Sequence, residues 1–144
     1  MITRIDHIGI ACWDLEASAA FYSDTYGFEV VHTETNQEQG VREAMLRING
    51  TDDGGASCIQ LLEPIREDSA VAKYLAAHGE GVHHIAFGTP DVVGAAETAA
   101  DAGVRVLYPE PRRGTSNSSI NFLHPKDCHG VLTELVQAAG SGGH

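Results

Sequence analysis

One segment of this chain is written twice, and that repetition limits what the chain can fold into. Asp6-His7-Ile8-Gly9-Ile10-Ala11 returns as His83-His84-Ile85-Ala86-Phe87-Gly88, with His7 matching His84, Ile8 matching Ile85 and Gly9 matching Ala86. The match continues at the same offset, Asp14-Leu15-Glu16 falling on Asp91-Val92-Val93, and one gap further Gly27 falls on Gly103. Each copy opens on a short apolar run, the second entered through Gly81, and such a run reads as a buried β-strand. The fold is therefore expected to be built from two copies of one unit.

Taken in order, residues 2–11 read as a strand, and Asp14 caps a helix to about Tyr26 with Leu15, Ala19, Tyr22 and Tyr26 as its apolar stripe and Gly27 as its stop. A strand over 28–32, a polar turn over 35–40 and strands over 41–48 and 56–62, joined by a turn over 49–55, complete a βαβββ module. In the connector, Asp68 or Ser69 caps a short helix that closes at Gly79. The second half repeats the first: a strand over 82–88, a helix from Asp91 to about Ala102 ended by Gly103, and strands near 104–108, 118–123 and 130–137. The expected organisation is a first module over 1–63, a connector helix within 64–80, a second module over 81–138 and a flexible tail over 139–144, all within one α+β domain.

Alternation along the duplicated strands sorts their side chains. His7, Gly9 and Ala11 share one face and Ile8 and Ile10 the other; His84, Ala86 and Gly88 share one face and Ile85 and Phe87 the other. Each copy thus packs large apolar groups on one side and leaves room around a histidine on the other. The duplication selects His84 over its neighbour His83, which is expected to point into the helix-side layer or towards a turn. The last strands align as well, Cys58-Ile59-Gln60-Leu61-Leu62 on Leu132-Thr133-Glu134-Leu135-Val136, so Gln60 and Glu134 each stand alone in an apolar run. A buried amide or carboxylate without partners costs on the order of a few kcal/mol. His7, Gln60, His84 and Glu134 satisfy that requirement together around a divalent cation, with imidazole and carboxylate suiting Mn, Fe, Co, Ni or Zn. A single strand histidine is more often a satisfied structural residue, but four such residues at duplicated positions favour the metal. His32, His78, His124, His129 and His144 have no matched mate and default to surface or structural roles.

Composition narrows the class. A formal charge of −11 and a pI near 4.9 argue against nucleic acid or an anionic membrane surface as partner. Arg4 and Asp6 interrupt the N-terminus before any apolar run, so no signal peptide is expected. No stretch is apolar and long enough to span a bilayer. Cys12, Cys58 and Cys128 are odd in number and show no paired spacing, which fits free thiols in a reducing cytoplasm.

The stretches 6–11, 81–86, 122–126 and 130–135, joined by Val41-Arg42-Glu43-Ala44-Met45-Leu46, resemble the vicinal oxygen chelate (glyoxalase/bleomycin resistance/dioxygenase) superfamily and, within it, the methylmalonyl-CoA epimerases. The resemblance covers nearly the whole chain. It implies paired βαβββ modules forming a half-closed eight-stranded cup around a divalent metal held by His7, Gln60, His84 and Glu134. It also implies Co²⁺ as the first expectation, with Mn²⁺, Ni²⁺ or Zn²⁺ as alternatives. A glutamine at position 60 matters, because glyoxalase I-like members usually place a glutamate there and ring-cleaving dioxygenases use two histidines and one carboxylate. The loop Thr115-Ser116-Asn117-Ser118-Ser119 departs from the family's expected Gly- and Ala-containing pattern.

The implied reaction interconverts (2R)- and (2S)-methylmalonyl-CoA by removing the α-proton through an enolate and returning a proton to the other face. On the residues alone, Glu43 reads as an exposed strand glutamate paired with Arg42 or Arg47; the resemblance makes it a catalytic base. Glu134 is the candidate for the opposite face, although coordination lowers a carboxylate's basicity. The implied partner is an acyl-CoA substrate, with Arg112, Arg113 and Lys126 as a candidate basic patch against a solvated charge cluster, and no other substrate-binding residue is assigned. A homodimer is expected by resemblance. The rival readings are a glyoxalase-like metal-dependent isomerase or lyase, a non-catalytic small-molecule-binding module and an Fe(II) dioxygenase, the last disfavoured by Gln60 as a fourth ligand.

Overall fold

Two compact units gather the chain: His7–His83, and a second made of Met1–Asp6 with His84–His144. The structure, a computed structural model, describes residues 1–48 and 57–140; the expected turn over 49–55, and the expected tail beyond residue 140, lie outside the described residues.

The strands β1 (Arg4–Ala11), of which the residues from His7 on lie in the first unit, β2 (Glu29–Asn36), β3 (Val41–Arg47) and β4 (Cys58–Pro64) are ordered β2-β3-β4-β1. β1 and β4 run parallel with Gly9 opposite Gln60, and the other neighbours pair antiparallel. Helix α1 (Leu15–Tyr26) starts where the Asp14 carboxylate accepts from the Ala17 amide and stops at Gly27, which sits in the left-handed region that glycine enters without strain. Its Leu15, Ala19 and Tyr22 pack on Ile10, Ala44, Leu46 and Leu61, filling one face of the sheet. The expected stripe continues to Tyr26, but that ring is exposed and packs instead against Phe21 and Phe28. Helix α2 (Ala70–His78), capped by Ser69 rather than Asp68, lays Val71 and Leu75 on Ala11, Val41 and Leu62. Those three belong to the face opposite α1, so α2 walls one end of the face that carries His7 and Gln60.

The strands β5 (Gly81–Gly88), of which the residues from His84 on lie in the second unit, β6 (Arg112–Arg113), β7 (Ser119–Leu123) and β8 (Thr133–Gln137) are ordered β5-β8-β7-β6. β5 and β8 run parallel with Ala86 opposite Glu134. Helix α3 (Val92–Asp101), capped by Asp91, packs Val92, Ala95 and Ala96 against Leu123 and Leu135. On the other face Ala86, Ile120 and Val136 form a small cluster flanked by Phe122.

Two strand expectations differ from the structure. β2 does not end at His32 but runs on to Asn36, so Thr35 and Asn36 are strand rather than turn. The strand expected near 104–108 is only an isolated bridge between Val106 and Leu123, with Leu107 N–H donating to the Phe122 carbonyl and His124 N–H to the Arg105 carbonyl. Pro109 and Pro111 lack the amide hydrogens a continuous ladder needs, and regular pairing resumes only at Arg112.

Candidate active site

The two units build the same polar pair in the same way. In the first, His7 lies two residues before Gly9, the partner of Gln60 in the parallel β1–β4 pair. In the second, His84 lies two residues before Ala86, the partner of Glu134 in the parallel β5–β8 pair. All four are buried, between 3% and 6% exposed. The small residues that alternate with the histidines, Gly9 and Ala86, leave the space above each pair open to these long side chains.

Within the second unit His84 Nε2 and Glu134 Oε1 approach to 3.1 Å. The Phe122 ring stands edge-on to His84 with centroids 5.8 Å apart. An imidazole and a carboxylate held together in an apolar setting form a donor set suited to a first-row divalent ion. His83, the neighbour that parity rejected, turns away and packs against Tyr74 of α2 with centroids 5.2 Å apart.

Within the first unit Gln60 Nε2 donates to Glu43 Oε2 at 3.0 Å. This contact orients the amide: with its nitrogen on Glu43, Oε1 is the end suited to a metal. Glu43 is only 4% exposed, so the reading of an exposed glutamate paired with an arginine does not hold. Arg42 instead bridges Glu16 and Glu63, and Arg47 pairs with Glu29. Glu43 faces the same side of the sheet as Gln60 because Met45, two residues on, is opposite Gln60 in the β3–β4 register.

Of the candidate basic residues, Arg112 and Arg113 pair with the start of β7, and Lys126 lies in the short 3-10 turn that follows its far end. The Arg112 guanidinium lies 3.9 Å from the centroid of the Tyr108 ring, and Arg113 Nε donates to Asn117 Oδ1 at 3.2 Å. In the loop that departs from the family pattern, Ser116 and Asn117 both adopt positive φ, 54° and 61°.

The sequence reading left Glu34 outside any strand. Because β2 continues past His32, Glu34 lies directly opposite Glu43 in the antiparallel register. The signal was the alternation His32-Thr33-Glu34-Thr35, whose β-branched threonines favour a strand over a turn.

Residues 6–122 match the profile of the glyoxalase/bleomycin resistance protein/dioxygenase superfamily. A Streptomyces coelicolor methylmalonyl-CoA epimerase variant, solved in complex with 2-nitronate-propionyl-CoA, is 71% identical, with 97% of this chain and 100% of that one covered at a TM-score of 0.92. The chain belongs to the methylmalonyl-CoA epimerase family. Another solved methylmalonyl-CoA epimerase, in complex with methylmalonyl-CoA and NH4+, is also 71% identical, over 98% of each chain at a TM-score of 0.92. The Cereibacter sphaeroides ethylmalonyl-CoA/methylmalonyl-CoA epimerase is 38% identical over 95% of this chain and 99% of its own length. Eight strands in a mixed sheet and three α-helices, counted among the described residues, give this chain the vicinal oxygen chelate fold that those epimerases share.

Proposed function

We propose that this chain is a metal-dependent methylmalonyl-CoA epimerase in which Glu43 exchanges the α-proton on one face of the substrate. The observation that carries the reading is the burial of Glu43 beside Gln60, since a carboxylate is rarely kept from water without a task or a partner. His7, Gln60, His84 and Glu134 are the residues that would hold the ion, Co²⁺ in the first instance with Mn²⁺, Ni²⁺ or Zn²⁺ as alternatives. The close His84–Glu134 pair and the oriented Gln60 amide fit such an ion chemically. A bound divalent ion would supply Lewis-acid neutralisation of the negative charge that develops on the thioester oxygen.

The chain's own residues do the rest. Glu43 takes the α-proton as a positioned carboxylate, a contribution typically worth ~10²–10⁴-fold. Gln60, by donating to one carboxylate oxygen, leaves the other as the proton acceptor and holds the group at a set angle. Glu134 is assigned to the opposite face, where it would return to the carbon a proton taken up from solvent on its carboxyl before the substrate binds. Burial of all these groups excludes water and strengthens each electrostatic contact. The acyl-CoA substrate, the homodimer and a cytoplasmic location belong to the same proposal. The family resemblance and the sequence supply their support.

The test is to strip the protein of metal, reload it with Co²⁺ and incubate it with one epimer of methylmalonyl-CoA in D₂O. Metal-dependent α-deuterium incorporation with appearance of the other epimer is the expected result. Exchange without epimer formation would point to a glyoxalase-like isomerase or lyase. No exchange with any divalent metal would leave a non-catalytic binding module. A Glu43→Gln protein that folds, binds metal and epimerises at the normal rate would remove Glu43 from the reaction.

A further inference from the structure

In the second unit the register carries the His84 face outward to the edge of the sheet. Glu134, opposite Ala86 on one side, is opposite Phe122 on the other. Val136 is opposite Ile120, and Ile120 is in turn opposite Arg112 on the last strand. Directly paired residues point to the same side, so His84, Phe122, Ile120 and Arg112 share one face. Arg113, the next residue of β6, is opposite Ser119 and so belongs to the other face, and its Nε donates to Asn117 Oδ1. Of the two adjacent arginines, only Arg112 stands on the side of His84 and Glu134.

Two aromatic rings bridge the space between. Phe122, edge-on to His84, is met edge-on in turn by Tyr108 with centroids 6.0 Å apart, and the Arg112 guanidinium lies over the Tyr108 ring. The row runs from a buried imidazole over two half-buried rings to an exposed cation. Its outer end is firmly held. The side chain of Asn121, only 2% exposed, clasps the Tyr108 backbone twice: the Tyr108 amide donates to Oδ1, and Nδ2 donates to the Tyr108 carbonyl, each at 3.1 Å. Pro109 and Pro111 fix φ at two of the three residues between Tyr108 and Arg112. An exposed cation–π pair adds little to stability by itself, whereas a ring and a guanidinium set in advance lower the ordering cost of binding a ligand.

We propose that Phe122, Tyr108 and Arg112 carry the coenzyme A arm of the substrate from the His84–Glu134 pair to the edge of the sheet, an inference that rests on the acyl-CoA reading above. The two rings floor the pantetheine chain, whose methylene and methyl groups are apolar, and Arg112 meets the pyrophosphate. The lengths agree. Contacts of 5.8, 6.0 and 3.9 Å in series set the upper limit of the row. An extended chain of amide units as long as pantetheine spans a similar distance, on the order of 15 Å. Stacking uses the flat face of the guanidinium and a phosphate is met by its N–H edge, so the two contacts are compatible. A cation at this point also offsets the repulsion that a polyanionic arm meets from a chain of net charge −11. Arg112 binds the substrate and takes no part in the proton transfers.

The experiment compares the full-length, Co²⁺-loaded protein with its variants Arg112→Gln, Arg112→Lys and Arg113→Gln on two substrates. One is methylmalonyl-CoA; the other is the methylmalonyl thioester of N-acetylcysteamine, which ends before the pyrophosphate. Arg112→Gln is expected to raise KM for the CoA thioester by about tenfold with kcat within about twofold of wild type, and to leave kcat/KM for the short thioester unchanged. Calorimetric titration with propionyl-CoA, which carries the same arm and is not epimerised, should show Kd raised by a similar factor. Arg113→Gln should stay within about twofold of wild type in every measurement. A KM and a Kd that Arg112→Gln leaves within about twofold would overturn the proposal. So would an equal loss on both thioesters, which would mean that Arg112 shapes the site and does not hold the arm, or an equal effect of Arg113→Gln, which would mean a diffuse field. Should Arg112→Gln fail to fold, Arg112→Lys decides: it keeps the charge but not the planar fork, and a KM unchanged for the CoA thioester overturns the assignment. Failure of the epimerase reading is distinct, since the wild-type protein would then turn over neither thioester.

Discussion

Gln60 does a task that a carboxylate in its place could not. Its nitrogen donates to Glu43 at 3.0 Å, and only an amide can offer a donor to that carboxylate while keeping an oxygen for a cation. A glutamate there would face Glu43 as a second anion and supply no hydrogen bond. Gln60→Glu, nearly identical in shape, is therefore expected to cut kcat by about 10²-fold or more while the circular dichroism spectrum stays that of wild type. Wild-type turnover in that variant would show that the Gln60–Glu43 contact has no part in the chemistry. A second residue-scale expectation concerns Cys12. Burial pushes its thiol above the ordinary range, and the sulfur lies against the Leu62 carbonyl. A thiol reagent at neutral pH should label the half-buried Cys58 and Cys128 well before Cys12, read by mass spectrometry of partly labelled protein.

At the scale of elements, side-chain alternation was legible wherever it was regular. The duplication matched His7 with His84 and Gln60 with Glu134, the register sets each histidine's strand beside the strand of its module's longer polar residue, and Asp14, one of the pair Asp68 and Ser69, and Asp91 announced their helices through capping chemistry. The burial of Glu43 was not legible from its own strand, because Arg42 and Arg47 beside it offered equally good partners; only the family resemblance pointed inward. The bulge in β2, one extra residue at Val31 between the partners of Leu46 and Met45, was illegible for a simpler reason. One inserted residue changes no composition, yet it exchanges the faces of everything beyond it. The 104–108 segment looked like a strand from its valines and leucine but is held chiefly from one side. The Asp127 carboxylate, in the turn after β7, accepts from the Arg105 backbone amide at 2.9 Å and from its guanidinium at 2.8 and 3.1 Å. Those hydrogen bonds hold its pKa at about 2, below the usual 3.8. A depressed carboxylate contributes stability above its unfolded pKa and loses it as pH falls through the folded one. Asp127→Asn should accordingly melt below wild type at neutral pH, and the gap should close between pH 3.8 and about 2. A gap unchanged across that window would mean that the charge on Asp127 is not what fastens the segment.

For the molecule as a whole, the duplication makes a quantitative demand. Each module contributes one histidine and one longer polar residue, so a single ion held by His7, Gln60, His84 and Glu134 needs both copies, whereas two independent half-sites would each bind their own. Titration of metal-free protein with Co²⁺ should then saturate at one ion per chain. A ligand present at 100 times its Kd stabilises the folded state by about 2.7 kcal/mol. For a chain of this size each kcal/mol raises the melting temperature by roughly 2–4 °C. Adding the ion should therefore lift the transition by roughly 5–10 °C. His7→Ala and His84→Ala, though they lie in different modules, should abolish that rise to a similar extent, because each removes one ligand from a shared set. Two ions per chain, with each variant losing only one, would mean that the copies bind separately and would sink the four-residue centre. A third variant separates metal binding from catalysis. Glu43→Gln should keep the full metal-induced rise while losing epimerisation, since its carboxylate is assigned to the proton and not to the ion.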